Sequence, residues 1–381
     1  MSVAAAPAVS TEWAWKRIQR LREKMKANNV ETALIHEAIS IKHLIGATSN
    51  HGWPSVALIE PDRVTAIFFA TTELDAACDT QVVLRGIRYD RLVKHADELA
   101  AALKPFLAAA ARSADVVGLA AQTVPAWITD LLTDRSRSCR QVDLTDELIE
   151  LRRTKDPDEL AIIKFNVRLS EAAYSAAREA IRPGVTEIDV HLAMSRAVNE
   201  LAGTAVPFGG DFKAGSGGGE TGGPPSRHVL AEGESYVIDF WPWNGGYFSD
   251  MCRTFPVGKP TAALKAAIRH TIECVEVAEQ SVRPGVRAAD VDATIRGFLR
   301  IKPELGGDSF RHISGHGLGI APHEAPWIIT DSRDVIRAGD VITLEPGLYA
   351  EPLVGGARTE DSYFVTADGL QNLCNFPRDV V

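Results

Sequence analysis

Seven residues in the second half of the 381-residue chain carry its densest chemistry: the acids Asp239, Asp250, Glu345 and Glu360, and the histidines His312, His316 and His323, these three within twelve positions. The acids lie in otherwise apolar stretches, YVIDF, SDMCRTF, VITLEPGLY and RTEDSYFV. Strands of that kind bury their side chains, and an unpaired carboxylate in a core costs several kcal/mol. Four such acids need cations, protons or hydrogen-bond donors, and metal ions meet that need with the fewest groups. Four carboxylates with one imidazole form a hard, oxygen-rich set suited to Mn²⁺ or Co²⁺, with Zn²⁺ or Fe²⁺ also accommodated, and hold too many acids for one structural zinc. Two divalent metal ions are implied. A pair about 3.5–4 Å apart would hold a bridging hydroxide and polarise a carbonyl, the machinery of amide hydrolysis.

The surrounding elements must bring these groups together. Asp239 and Asp250 are eleven positions apart across Asn244-Gly245-Gly246, so a hairpin folded there places both at one end of a cleft. Upstream, Asp156-Pro157-Asp158-Glu159 combines an N-cap acid, a first-turn proline and further acids, and predicts a helix to about Ile181 that stops at Arg182-Pro183-Gly184-Val185. The same signature returns at Arg283-Pro284-Gly285-Val286, with IRPGVTEIDV matching VRPGVRAADV. Each helix-turn-helix leads into two strands, YVIDF with DMCRTFPV and DVITLEPGLY with RTEDSYFVT. Residues 151–381 therefore read as an α+β domain with an internal pseudo-two-fold repeat and a cleft between its halves.

Residues 1–150 read as a separate α/β domain: a helix from Thr11 to about Asn28, strands at TALIH, SVALIE, VTAIFFA, VVLRGIRY, VVGLA and RQVDL, and helices near 92–112 and after Pro125. His36, His43 and His51 have no ligand-spaced neighbours there and read as structural, as do His191 and His270 on helices of the second domain. Gly217, Gly219 and Gly222 satisfy GxGxxG, but no apolar strand precedes them and Pro224-Pro225 follows, which argues against dinucleotide binding. No GxSxG elbow occurs, and Cys252 reads as a small core residue.

Acids outnumber basic residues 50 to 41, giving a net charge of −9 that disfavours a nucleic-acid partner. Five scattered cysteines without a CxxC pair argue against a disulfide framework. The amino-terminal stretch has no basic leader, and LAAALKPFLAAAA is too short and too interrupted to span a bilayer. The expectation is a cytoplasmic protein without a membrane partner.

The stretches VIDFWPWNGGYFSDMCRTF, GHGLGIAPHEAP, VITLEPGLY and GGARTEDSYFVT, in this order and spacing, resemble the pita-bread metallopeptidases, in the aminopeptidase P and prolidase branch with a creatinase-like N-terminal domain. The resemblance covers nearly the whole chain. It implies that Asp239 holds one metal, that Asp250 and Glu360 bridge both, and that His316 and Glu345 complete the second. Glu345 matches the family's proton-shuttling carboxylate, His312 and His323 its substrate-facing histidines, and Arg358 its active-site arginine. It further implies cleavage of Xaa-Pro bonds, as an Xaa-Pro aminopeptidase or dipeptidase, with Mn²⁺ as the foremost metal, in a homodimer or homotetramer.

This chain also departs from that pattern. The family's further histidine falls at Gly222, and His228, six residues later, is the candidate to replace it in substrate binding. The segment GGDFKAGSGGGETGGPPSRH from Gly209 carries eight glycines, as a substrate-contacting loop or a surface loop. Phe240, Trp241, Pro242 and Trp243 replace small residues after Asp239. Two other readings stay open: a metal-dependent hydrolase of a non-peptide amide or other small molecule, and a peptide-binding module without turnover.

Overall fold

The structure is a computed structural model that describes residues 6–110, 116–133, 139–215 and 222–379. It divides into two compact units, one spanning residues 9–152 and the other taking in the described residues from 153 onward together with residues 6–8.

The first unit runs α1 (Thr11–Ala27), β1 (Thr32–Ile35), α2 (Ala38–Ile45), β2 (Val56–Ile59), β3 (Val64–Phe69), β4 (Thr80–Leu84), α3 (His95–Ala110), β5 (Val116–Leu119), α4 (Ala126–Leu132), β6 (Arg140–Asp143) and α5 (Thr145–Arg153). Its six strands form one mixed sheet in the order β4-β3-β2-β1-β5-β6. Period-two alternation puts Ala33, Ile35, Ala57 and Ile59 in one core and Leu34, Val56 and Leu58 in the other, so helices cover both faces. The strand expected over VVLRGIRY ends at Leu84. The Trp53 ring lies over Gly86, where an added Cβ would stand 2.0 Å from it, and the chain leaves the sheet there.

The second unit continues with α6 (Pro157–Ala180), α7 (Glu187–Ala202), β7 (Phe208–Ala214), β8 (Ser235–Asn244), β9 (Tyr247–Phe248), β10 (Met251–Pro256), α8 (Ala262–Ser281), α9 (Ala288–Leu299), β11 (Gly315–Gly317), β12 (Glu324–Ile328), β13 (Val341–Leu344), β14 (Gly347–Ala350), β15 (Gly355–Arg358), β16 (Asp361–Val365) and β17 (Leu370–Asn372). α6 starts as expected: the Asp156 amide donates to Glu159 Oε2 at 2.8 Å, the reciprocal half of a capping box. α7 starts at Thr186, whose hydroxyl accepts from the Asp189 amide at 3.1 Å while its own amide donates to Asp189 Oδ2 at 2.9 Å.

The repeat shows in backbone detail. Gly184 and Gly285 both take φ = +92°, and both donate their amides at 2.9 Å, to Leu230 and Ile336 respectively. Leu230 and Ile336 donate back at 2.8 Å to Val185 and Val286. A left-handed φ at the same place in each turn is what requires glycine there.

β10-β8-β7 form the sheet of the first half, and β12-β11-β13-β16-β17 that of the second. The second half departs from the expected pair of continuous strands. Each breaks in its middle, so that β13 pairs with β16 while β14 and β15 form a separate ribbon. Glu345-Pro346 and Thr359-Glu360 occupy the breaks; proline has no amide to continue a ladder.

Candidate metal centre

Asp239 lies within β8, directly opposite Cys252 of β10, and Asp250 immediately precedes β10, so the two aspartates share one face of the hairpin. Glu360 comes alongside from the other half: its amide donates to the Cys252 carbonyl at 3.0 Å and its carbonyl accepts from the Cys252 amide at 3.2 Å. Cys252 is thus a backbone stitch between the halves. The buried Arg253 reinforces it, donating to the carbonyls of Cys252 and Glu360 at 2.9 and 2.7 Å and to Asp361 Oδ1 at 2.6 Å. Ser362 donates its hydroxyl to the Asp250 carbonyl at 2.6 Å. His316 sits at the middle of β11, and Glu345 directly follows β13, its amide donating to the Ser314 carbonyl at 3.0 Å.

All five residues are buried, from 1% exposed at Glu360 to 8% at Asp239. Asp250, His316 and Glu360 each offer a ligand atom within 4.8 Å of the others, and so do Asp239, Cys252 and Glu360. Asp239 Oδ1, Asp250 Oδ1, Glu345 Oε1 and Glu360 Oε2 are buried without a hydrogen-bond partner. His316 Nδ1 lies 2.9 Å from the Gly317 carbonyl, which places the proton on Nδ1 and leaves the Nε2 lone pair facing the acids. That Nε2 stands 3.7 Å from Asp250 Oδ2 and 3.7 Å from Glu345 Oε1, beyond hydrogen-bonding reach.

The electrostatics follow from the crowding. Burial, then neighbouring acids, pushes Asp250 and Glu360 well above the usual carboxylate range. Burial raises Asp239 to about 6, opposed by Arg358, whose Nη2 donates to Asp239 Oδ2 at 2.6 Å. Glu345 goes the other way: burial would raise it, but His312, His316 and Arg358 together hold it below its ordinary value. Burial lowers His316, which favours the neutral imidazole a metal takes as ligand. Four orphaned carboxylate oxygens and one oriented imidazole nitrogen are a donor set that fits divalent cations.

These groups line a cavity of about 730 Å³ that His312, His323 and Arg358 also line. The His323 ring centroid is 4.2 Å from that of His316, and its plane is within 1° of the Trp327 ring. Its neighbour Glu324 is pinned by Lys155 at 2.8 Å in a buried pair. His312 Nε2 is 2.7 Å from the Tyr349 hydroxyl, and Nδ1 is 2.8 Å from the Ile313 carbonyl and 3.3 Å from Glu345 Oε2.

His228 is not brought to this cavity. It is 40% exposed and its Nε2 lies 2.9 Å from Glu234 Oε2, a local pair formed before β8 begins. Residues 216–221 of the glycine-rich segment lie outside the described residues. Sequence reasoning passed over Asp211 and Tyr349. Asp211 lines the cavity and is paired in register with Asp239, a neighbourhood that only the β7–β8 register creates. Tyr349, four residues after Glu345, was hidden in a run read as one strand.

Two repeated halves joined through Cys252 and Glu360, with buried acids on both sides of the seam, define a metallopeptidase architecture. The chain belongs to metallopeptidase family M24, whose pattern matches residues 161–367, while the creatinase/prolidase N-terminal domain pattern matches residues 17–154. The chain is 26% identical over 368 residues to the Xaa-Pro dipeptidase of Pyrococcus horikoshii, covering 96% of this chain and 99% of that one. With YkvY of Bacillus subtilis it shares 30% identity over 241 residues, 63% of this chain and 65% of that protein's length. The crystal structure of the Pyrococcus horikoshii prolidase superposes with a TM-score of 0.81 at 25% identity, over 96% of this chain and 100% of that one. Aminopeptidase P of Escherichia coli, in complex with substrate, has the same fold at a TM-score of 0.81 and 20% identity over 98% and 97% of the two chains. The catalytic unit is thus a pita-bread fold, and membership in this family implies divalent metal ions. No helix among the described residues is long and apolar enough to cross a membrane.

Proposed function

We propose that the protein is a dinuclear metal-dependent peptidase that hydrolyses Xaa-Pro bonds, as an Xaa-Pro dipeptidase or aminopeptidase. The observation that carries this reading is the set of four buried carboxylate oxygens without hydrogen-bond partners, on acids of which Asp250 and Glu345 stand 3.7 Å from the oriented Nε2 of His316. Near full-length likeness to proteins named Xaa-Pro dipeptidase supports the substrate class. In this reading residues 1–150 are the creatinase-like domain and residues 151–381 carry catalysis.

Asp239, Asp250, His316, Glu345 and Glu360 would hold the ions. Two divalent cations, Mn²⁺ foremost with Co²⁺, Zn²⁺ or Fe²⁺ as alternatives, would there supply Lewis acidity for the scissile carbonyl and lower the pKa of water toward neutral pH. Glu345, held ionised by its neighbours, takes the proton of the attacking water on a carboxylate oxygen and passes it to the departing proline nitrogen. His312, 3.3 Å from Glu345 Oε2 and fixed by Tyr349, steadies that carboxylate, and His323 offers a ring N–H to the substrate carbonyl. Arg358 holds Asp239 in place and compensates part of its charge. His228, paired with Glu234, has no part in this scheme. The protein is read as a cytoplasmic homodimer or homotetramer, which light scattering after size exclusion checks.

The test is product analysis by mass spectrometry. Metal-depleted protein, with and without Mn²⁺, is incubated with Xaa-Pro dipeptides, Xaa-Pro-Yaa peptides and proline-free controls. Metal-dependent release of the residue before proline supports the reading, and the preferred length separates dipeptidase from aminopeptidase. Absence of cleavage with Mn²⁺, Co²⁺ and Zn²⁺ alike would overturn it.

A further inference from the structure

The cross-strand register sets a sulfur into the row of acids. Cys252 stands opposite Asp239 across the β8–β10 pair and opposite Glu360 across an isolated bridge, so the three side chains rise from adjacent backbones onto one face. One ligand atom each from Asp239, Cys252 and Glu360 lie within 4.8 Å of one another. Cys252 is fully buried, but its neighbours on both sides are not those of a core residue. They are buried carboxylates, and Asp239 Oδ1 and Glu360 Oε2 have no hydrogen-bond partner. Two orphaned acids flanking a buried thiol leave a place that a cation, and not packing, completes.

Arg358 prepares the sulfur for that role. Its Nε donates to Cys252 Sγ at 3.2 Å while its Nη2 donates to Asp239 Oδ2 at 2.6 Å, so one guanidinium serves both groups. A neutral thiol is a weak acceptor, whereas a thiolate is a strong one, and a fixed cation against it offsets the charge that a departing proton leaves behind. Hydrogen bonds to sulfur are a recurrent outer layer of metal-bound thiolates. His316 and Glu345 bring only nitrogen and oxygen, so two ions held here would meet different donor sets. Sulfur favours Zn²⁺ and the later first-row ions, while Mn²⁺ is suited by oxygen.

We propose that Cys252 is a metal ligand: its thiolate joins Asp239 and Glu360 at one of the two ion positions and makes that position selective for a thiophilic divalent cation, Zn²⁺ or Co²⁺, over Mn²⁺. As the sulfur–metal bond forms, the S–H bond breaks and its proton leaves to water; no electron is transferred. Mn²⁺ still enters through the carboxylates, with the sulfur protonated. The assignment rests on the dinuclear metal reading for the ions themselves.

The test titrates the metal-depleted full chain and its Cys252→Ser and Cys252→Ala variants with Co²⁺ in the absence of oxygen, following absorption, and with Zn²⁺ and Mn²⁺ by calorimetry. Circular dichroism establishes that each variant is folded. Sulfur bound to Co²⁺ gives an intense near-ultraviolet charge-transfer band that oxygen and nitrogen ligands do not give. The expected result is a band that grows with Co²⁺ binding in the wild type and is absent from both variants. Zn²⁺ affinity should fall about tenfold in Cys252→Ser while Mn²⁺ affinity changes by less than about twofold. No band with Co²⁺ bound to the wild type, a band that survives both substitutions, or Zn²⁺ and Mn²⁺ affinities that fall together would overturn the assignment and leave the dinuclear reading standing. Failure of the wild type to bind Co²⁺, Zn²⁺ or Mn²⁺ would remove both. A Cys252-dependent band without cleavage of any Xaa-Pro peptide would keep the sulfur ligand and remove the peptidase reading.

Discussion

His316 Nε2 faces Asp250 Oδ2 across 3.7 Å with both groups buried, a separation too long for a hydrogen bond and suited to a cation held between them. Ionising all the acids around this gap would leave a charge that the protein alone does not compensate. That has a consequence for stability as a function of pH.

Asp239 titrates near 6 in the folded chain, against 3.8 for an ordinary aspartate, and Asp250 and Glu360 are also raised. Between the unfolded and folded values the folded state binds more protons, so the stability these groups contribute is full below 3.8 and is lost as pH rises through about 6 and beyond. Metal binding replaces the protons and cancels the loss. The melting-temperature gap between metal-loaded and chelated protein should therefore widen from pH 5 to pH 8. A gap that is constant or narrows over that range contradicts the account.

Glu345→Gln keeps the size of the side chain and removes its ability to take a proton. The expected outcome is a kcat lower by about 10²–10⁴-fold with an unchanged circular dichroism spectrum. Activity close to wild type would remove Glu345 from proton transfer.

The two turn glycines give a test of the repeat that is independent of chemistry. Gly184 and Gly285 share φ = +92°, and a Cβ at either would meet no atom within 4 Å, so alanine there is opposed by backbone strain alone. Gly184→Ala and Gly285→Ala should each cost about 1–2 kcal/mol, by similar amounts, in urea unfolding. A loss at one position and none at the other would show that the two turns are not equivalent.

Much of this arrangement could be read from the residues. The RPGV turns announced the repeat because a proline stop followed by a left-handed glycine is a local requirement, and local requirements are written in adjacent letters. Asp239, Asp250, Glu345 and Glu360 stood out because acids in apolar strands need a reason, whereas His316 is set apart from His312 and His323 only by the family resemblance. What depends on pairing between distant segments was not readable. The breaks at Glu345-Pro346 and Thr359-Glu360 arise because β14 and β15 pair with each other instead of extending β13 and β16. Asp211 became significant only through its register with Asp239. His228, six residues past the position the family spacing points to, pairs with Glu234 and does not line the cavity.

The central claim is that two ions occupy the seam between the halves, with Asp250 among their ligands. Chelated protein is titrated with Mn²⁺ by calorimetry, and bound metal is counted by mass spectrometry after desalting, for the wild type and Asp250→Ala. The account predicts two ions per chain in the wild type, and in Asp250→Ala a loss of bound metal together with activity. One ion or none in the wild type, or two tightly bound ions retained by Asp250→Ala, would contradict it.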